Sequence, residues 1–144
     1  MIIAFIDGLG GGLMGQLIER LPANIKERNE IMALGTNALA TVAMVKAGAK
    51  TGASGEGAIA YSVKNVDLIV APLGVLIPNA MFGEITPKIA KHVARCSAPK
   101  ILLPVSNINV NVVGCKTKSM NLLIKEAVKE IEQWVQGKEE CVNG

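Results

Sequence analysis

Gly10, Gly12 and Gly15 stand at the spacing G-x-G-x-x-G. An apolar run from Met1 to Ile6 leads directly into them, and Leu13, Met14, Leu17, Ile18 and Leu21 follow at helical spacing. Glycines between a strand and a helix suit phosphate chemistry. A helix N-terminus offers unpaired backbone N–H groups and the positive end of the helix dipole. Glycine turns sharply and leaves no side chain between backbone and phosphate. On this reading Gly10 makes the turn, Gly12 allows close approach, and Gly15 lets the first helix pack on the first strand. Asp7, Gly8 and Gly11 complete the candidate loop. A carboxylate at Asp7 repels a phosphate unless it turns away or holds a metal.

Three further stretches carry candidate binding groups. Gly35, Thr36 and Asn37 follow the second apolar run, Glu30 to Leu34. In dinucleotide folds an acidic residue at that strand end binds the adenosine ribose. This chain has none there. Thr36 and Asn37 are candidates for hydrogen bonds to a ribose or a 2′-phosphate, or for capping the next helix. Leu73 and Gly74 close the run Val66 to Leu73, where the crevice of an open α/β sheet lies. Asn79 and Glu84 are the polar members of the apolar segment 75–84 and the best substrate candidates. The competing role is structural: Asn79 satisfying backbone and Glu84 opening the next helix. His92 sits among charged and small residues, and no positioned partner marks it as a catalyst. No catalytic residue is assigned.

The elements that must position these residues read as alternating strands and helices. After the first helix, Pro22 stops the pattern and Ala23 to Glu30 is a polar connection. A helix follows over Ala38 to Ala47, almost without a polar face. This calls for a covering element or a second subunit. Lys50 to Ala53 is a short third strand. A second glycine turn, Thr51 to Gly57, leads to a helix over Gly55 to Asn65 with Ser54 as its cap. The continuous apolar run of Val66 to Leu73 suits a central parallel strand. Thr86 and Pro87 open a helix reaching Arg95. Lys100 to Val105 is the fifth strand, with Pro104 marking an edge. Asn107 to Asn111 is a turn and Val110 to Gly114 a short sixth strand. Ser119 caps a last helix, Met120 to Gln136, with Trp134 on its apolar face. Gly137 ends it, and residues 137–144 form a frayed polar tail. The fold class is a three-layer α/β domain over residues 1–136, with a mostly parallel sheet of order 3-2-1-4-5 and a short edge strand.

Composition sets limits. A chain of 144 residues suits one domain. Half of it is hydrophobic and only 3% aromatic, so the core is aliphatic. The net charge of +3 comes without a basic patch or aromatic interleaving, which argues against nucleic acid. Cys96, Cys115 and Cys141 are widely spaced and odd in number, which points to free thiols in a reducing cytoplasm. The N-terminus lacks a signal-peptide pattern. The most apolar run, Val66 to Phe82, is broken by Asp67, Pro72, Gly74 and Pro78, which excludes a membrane span there.

Three resemblances follow. IDGLG resembles the metal-binding strand end of the alkaline-phosphatase superfamily. That site needs several further Asp and His ligands, and this chain has one His, so no metal is expected. Residues 1–74 resemble the first half of a Rossmann domain, through IAFIDGLGGGLMG, IMALG and VDLIVAPLG. The resemblance implies pyrophosphate at Gly10, Gly12 and Gly15, adenosine ribose near Thr36 and Asn37, and the reactive end near Leu73 and Gly74. The phrases IDGLGGG, ALGTNALAT, GASGEGAI and NAMFGEITP resemble a small uncharacterised bacterial family of single short domains. That resemblance implies a cytoplasmic bacterial protein and carries no activity across. The expected function is binding of NAD(P) or another nucleotide. One form of it is an oxidoreductase completed in a homo-oligomer, since 144 residues leave no room for a substrate domain. The alternative is a non-catalytic interaction or regulatory module of Rossmann shape.

Overall fold

A computed structural model describes residues 1–105, 109–116 and 118–144. Five strands form one parallel sheet: β1 (Ile2–Asp7), β2 (Glu30–Gly35), β3 (Thr51–Ser54), β4 (Leu68–Pro72) and β5 (Lys100–Leu103). Their order is β3-β2-β1-β4-β5, as expected. β1 lies at the centre, paired with β2 from Ile2 opposite Glu30 to Asp7 opposite Gly35, and with β4 around Ala4 opposite Ile69. The chain moves left of β1 for two strands and then right, so the strand order reverses between β1 and β4. Ligand crevices of open α/β sheets form at such a reversal.

Helices cover both faces, which is why β1 and β4 are apolar without alternation. Ile3 and Phe5 of β1 point to one layer. It is built by α1 (Gly12–Glu19), α3 (Ala38–Lys46) and α6 (Met120–Asn143), through Leu17, Met44 and Ile131 among others. Ile25 of α2 (Ala23–Arg28) joins the same layer. Ala4 and Ile6 point to the other layer, with Ile59 of α4 (Glu56–Ser62) and Ile89 and Val93 of α5 (Pro87–Arg95). The three-layer α/β fold is thus present.

Several local expectations are corrected. The polar stretch after Pro22 contains α2, a turn-and-a-half helix anchored by the buried Ile25. Ser54 does not cap α4. Gly55 holds that position at φ 98°, and Ser54 Oγ bonds Thr41 Oγ1 instead. No strand forms among the described residues of 109–116, so the sixth strand is absent there. The Asn-rich turn lies partly outside the described residues. Gly137 does not end the last helix. α6 runs on to Asn143, so the tail after Gln136 is helical. A glycine inside a helix costs only about 1 kcal/mol relative to alanine, which the helix around it carries. Thr86 and Ser119 do cap α5 and α6, accepting from the Ile89 and Leu122 N–H groups. No helix among the described residues is long and apolar enough to cross a membrane.

Candidate functional site

Asp7 ends β1 with a side chain only 5% exposed. Its Oδ1 accepts from the Gly8 N–H at 2.8 Å and its Oδ2 from the Met14 N–H at 3.0 Å. Met14 is the third residue of α1, and the capping position before that helix is Gly11, which has no side chain to offer. Asp7 therefore caps α1 from seven residues upstream. Burial pushes its carboxyl above the usual aspartate value, against the two N–H bonds that lower it, and the nearby Glu84 charge adds to the rise.

The loop's left-handed residues are Leu9 at φ 52° and Gly11 at φ 68°, so the turn is made around Gly10 and not at it. A Cβ on Gly11 would lie 2.6 Å from the Ala40 carbonyl oxygen, a collision with α3 backbone. Gly10 and Gly12 are exposed, and a Cβ at either meets nothing within 4 Å. No described group accepts from their N–H groups. Gly15 serves helix packing of a different kind from the one expected: its Cβ position meets Ala43 of α3 at 3.7 Å, not the first strand.

Glu84 stands at the centre of the polar contacts. Its Oε1 accepts from Thr36 Oγ1 at 2.6 Å, Asn37 Nδ2 at 2.6 Å and the Leu9 N–H at 3.1 Å. Asn37 Nδ2 also donates to the Leu9 carbonyl, and Asn37 Oδ1 caps α3 through the Ala40 N–H at 2.9 Å. Capping and site geometry are thus one arrangement. Partial burial pushes the Glu84 carboxyl up, but the bonds from Thr36, Asn37 and Leu9 together outweigh it and hold it below the ordinary glutamate value. No described donor reaches Glu84 Oε2. Every buried side-chain oxygen or nitrogen among the described residues has a partner, so Oε2 touches solvent.

Glu84 arrives on a strap that leaves β4 and crosses the end of β1. Asn79, Met81 and Phe82 take φ of 68°, 57° and 56°, with Gly83 at 88°. Glycine and asparagine take this conformation readily, but for Met81 and Phe82 it costs about 1 to 3 kcal/mol each and persists where the surroundings fix it. Here the Asn79 N–H donates to the Ile85 carbonyl at 2.7 Å and the Gly83 N–H to the Asn79 carbonyl at 3.1 Å. Asn79 is itself exposed and serves as a turn residue. Met81 lies over Gly8, whose Cβ would sit 2.7 Å from its sulfur. Gly35 is glycine for a similar reason, since a Cβ there runs into Thr41 and lies 2.7 Å from the Asn37 carbonyl.

The sequence-derived residues therefore divide. Asp7, Gly8, Thr36, Asn37 and Glu84 meet directly, with the glycine loop beside them. Gly74 is buried in the turn after β4 and accepts from the Ile77 N–H at 3.0 Å. Leu73 lines a separate cavity of about 260 Å³ with Val105, Cys115, Lys116, Met120 and Leu123. Reading the sequence missed this cavity. Its signal is the long connection after Pro104 at a carboxyl strand end, where long loops are commonly functional. Cys96, Cys115 and Cys141 are free thiols, and no group of three or more His, Cys, Asp and Glu among the described residues could hold a metal.

The fold is an open parallel α/β domain with the Glu84 carboxylate hydrogen-bonded at the carboxyl end of its central strands. The chain belongs to the DUF3842 family, a domain of unknown function whose model matches residues 2–136. No curated protein and no solved structure gives a significant match.

Proposed function

We propose that this protein binds a nucleotide, with phosphate on the Gly10 and Gly12 N–H groups at the start of α1. The observation that carries the reading is the open shelf at these two glycines. Both are exposed, both have room where a Cβ would stand, and both lie at the N-terminus of a helix that follows the central strand. The reading is supported by the strand order, which reverses between β1 and β4, next to the loop that follows β1. A Rossmann-like use of the loop is consistent with this position. Asp7 belongs to the support of the loop, since its oxygens are turned onto Gly8 and Met14.

The test is a thermal-shift and calorimetry panel of NAD, NADP, FMN, ATP and S-adenosylmethionine on wild type and Gly12→Val. A ligand at 100 times its Kd raises stability by about 2.7 kcal/mol. A Cβ at Gly12 meets nothing within 4 Å, so the variant is expected to stay folded but to lose the shift. Equal ligand affinity in a folded Gly12→Val protein refutes the phosphate role.

A second reading, a non-catalytic interaction module, is favoured by α3. Leu39, Val42 and Val45 are 67%, 47% and 40% exposed along one side of that helix. On this reading the apolar stripe is covered by a second copy. Leu39→Glu with Val42→Glu then converts an oligomer to a monomer in light scattering, and a wild-type monomer rules it out. The homo-oligomer and the nucleotide site are compatible, and an NAD(P)-linked oxidoreductase would require both.

A further inference from the structure

We infer that Glu84 is the ribose-binding acid of this site, so that the protein selects nucleotides with a free 2′-hydroxyl. This rests on the nucleotide reading above and extends it to the class of ligand. The end of β2 lacks the acidic residue that a ribose diol needs. The strap supplies one there from 48 residues further along, since Glu84 Oε1 lies 2.6 Å from Thr36 Oγ1. Three donors from two loops hold Oε1 in position. Oε2 remains as a solvent-contacting acceptor without a described partner. A fixed anionic acceptor suits a hydroxyl donor. It rejects a 2′-phosphate by like charge. Thr36 and Asn37 cannot serve a 2′-phosphate instead, because their donors already point at Glu84.

The strap also explains why this acceptor stays in place. Left-handed backbone at Asn79, Met81 and Phe82, closed by the Asn79-to-Ile85 bond, sets the direction from which Glu84 enters. Met81 over Gly8 pins the same segment to the end of β1. Glu84 is thus a specificity residue placed by a rigid turn and not a freely moving surface carboxylate.

The experiment is calorimetry of the full chain with ADP, GDP, CDP and UDP, each beside its 2′-deoxy counterpart, and with NAD beside NADP. The expected result is that the best-bound ribonucleotide loses about tenfold in affinity without its 2′-hydroxyl, and that NADP binds more weakly than NAD. Glu84→Gln keeps an acceptor for Thr36, Asn37 and Leu9, so the strap stays in place. Its expected effect is to lift the discrimination against NADP in a protein that stays folded, with at most a modest fall in melting temperature from loss of the charge. If ribo- and deoxyribonucleotides bind equally and Gly12→Val still abolishes binding, the role of Glu84 is overturned and the phosphate loop stands. If no nucleotide binds, both fall together. Should Glu84→Gln lose its fold, Thr36→Val reads the same question, since it removes one of the three donors. It is expected to weaken the 2′-hydroxyl preference, and an unchanged preference counts against the proposal.

Discussion

Replacing Asp7 by alanine is the sharpest test of how the loop is held. The substitution leaves the Gly8 and Met14 N–H groups without their acceptors at 2.8 and 3.0 Å, in a place where the carboxylate is 5% exposed. An unsatisfied buried donor costs about 1 to 3 kcal/mol, and loss of a helix cap about 0.5 to 2 kcal/mol, the Met14 bond being both at once. Relief of the carboxylate's own burial offsets part of this. The net expectation is a loss of about 2 to 4 kcal/mol for Asp7→Ala and about half that for Asp7→Asn, which keeps one acceptor. Urea unfolding followed by circular dichroism measures it, as a lower midpoint at unchanged slope. The pH dependence gives an independent sign. Asp7 has its carboxyl raised above 3.8, so between that value and its folded value the native state holds more protons than the unfolded chain. Stability from this group therefore falls as pH rises through that window. Wild type should gain on Asp7→Asn as pH is lowered toward 4 from neutrality, about the ordinary aspartate value. A loss under about 0.5 kcal/mol for Asp7→Ala, the size of an ordinary surface change, would refute the capping role.

Two further outcomes follow from the same geometry. Gly11→Ala places a Cβ 2.6 Å from the Ala40 carbonyl at φ 68° and is expected to destabilise by about 2 kcal/mol or more, while Gly10→Ala, with open space, stays within about 0.5 kcal/mol; equal melting temperatures for the two would contradict the close approach of loop and α3. Glu84 has its carboxyl held below 4.5, so its contribution is present above that value and lost as pH falls through the folded one. Glu84→Ala should therefore flatten this acid-side loss and speed chymotrypsin cleavage after Phe82, which is 98% exposed; cleavage at the wild-type rate would show that Glu84 does not hold the strap.

Much of the fold was legible because strand and helix periods are local. The uninterrupted apolar run in Leu68–Pro72 marked a strand covered on both faces, and Thr86 followed by Pro87 marked a helix start from backbone requirements alone. The errors also have local causes. Six residues of polar helix α2 carry a single buried contact, Ile25, too little to show a period. Gly137 resembled a stop because glycine commonly follows a helix end, yet the 24-residue helix runs through it at small cost. At the site, the glycine spacing was visible, but which glycine is left-handed was not. Leu9 takes that role beside Gly11, and its N–H donates to Glu84 of the strap.

The sequence by itself determined the alternation of elements, the glycine loop after the first strand, and the absence of an acidic residue at the end of the second. Only the tertiary structure decided that a carboxylate from another segment, Glu84, lies beside that strand end. Hydrophobic periodicity and capping act over a few residues, so the chain shows them directly. A carboxylate held by Thr36, Asn37 and Leu9 depends on the strap after β4 crossing the end of β1, and no local pattern around Glu84 encodes that meeting.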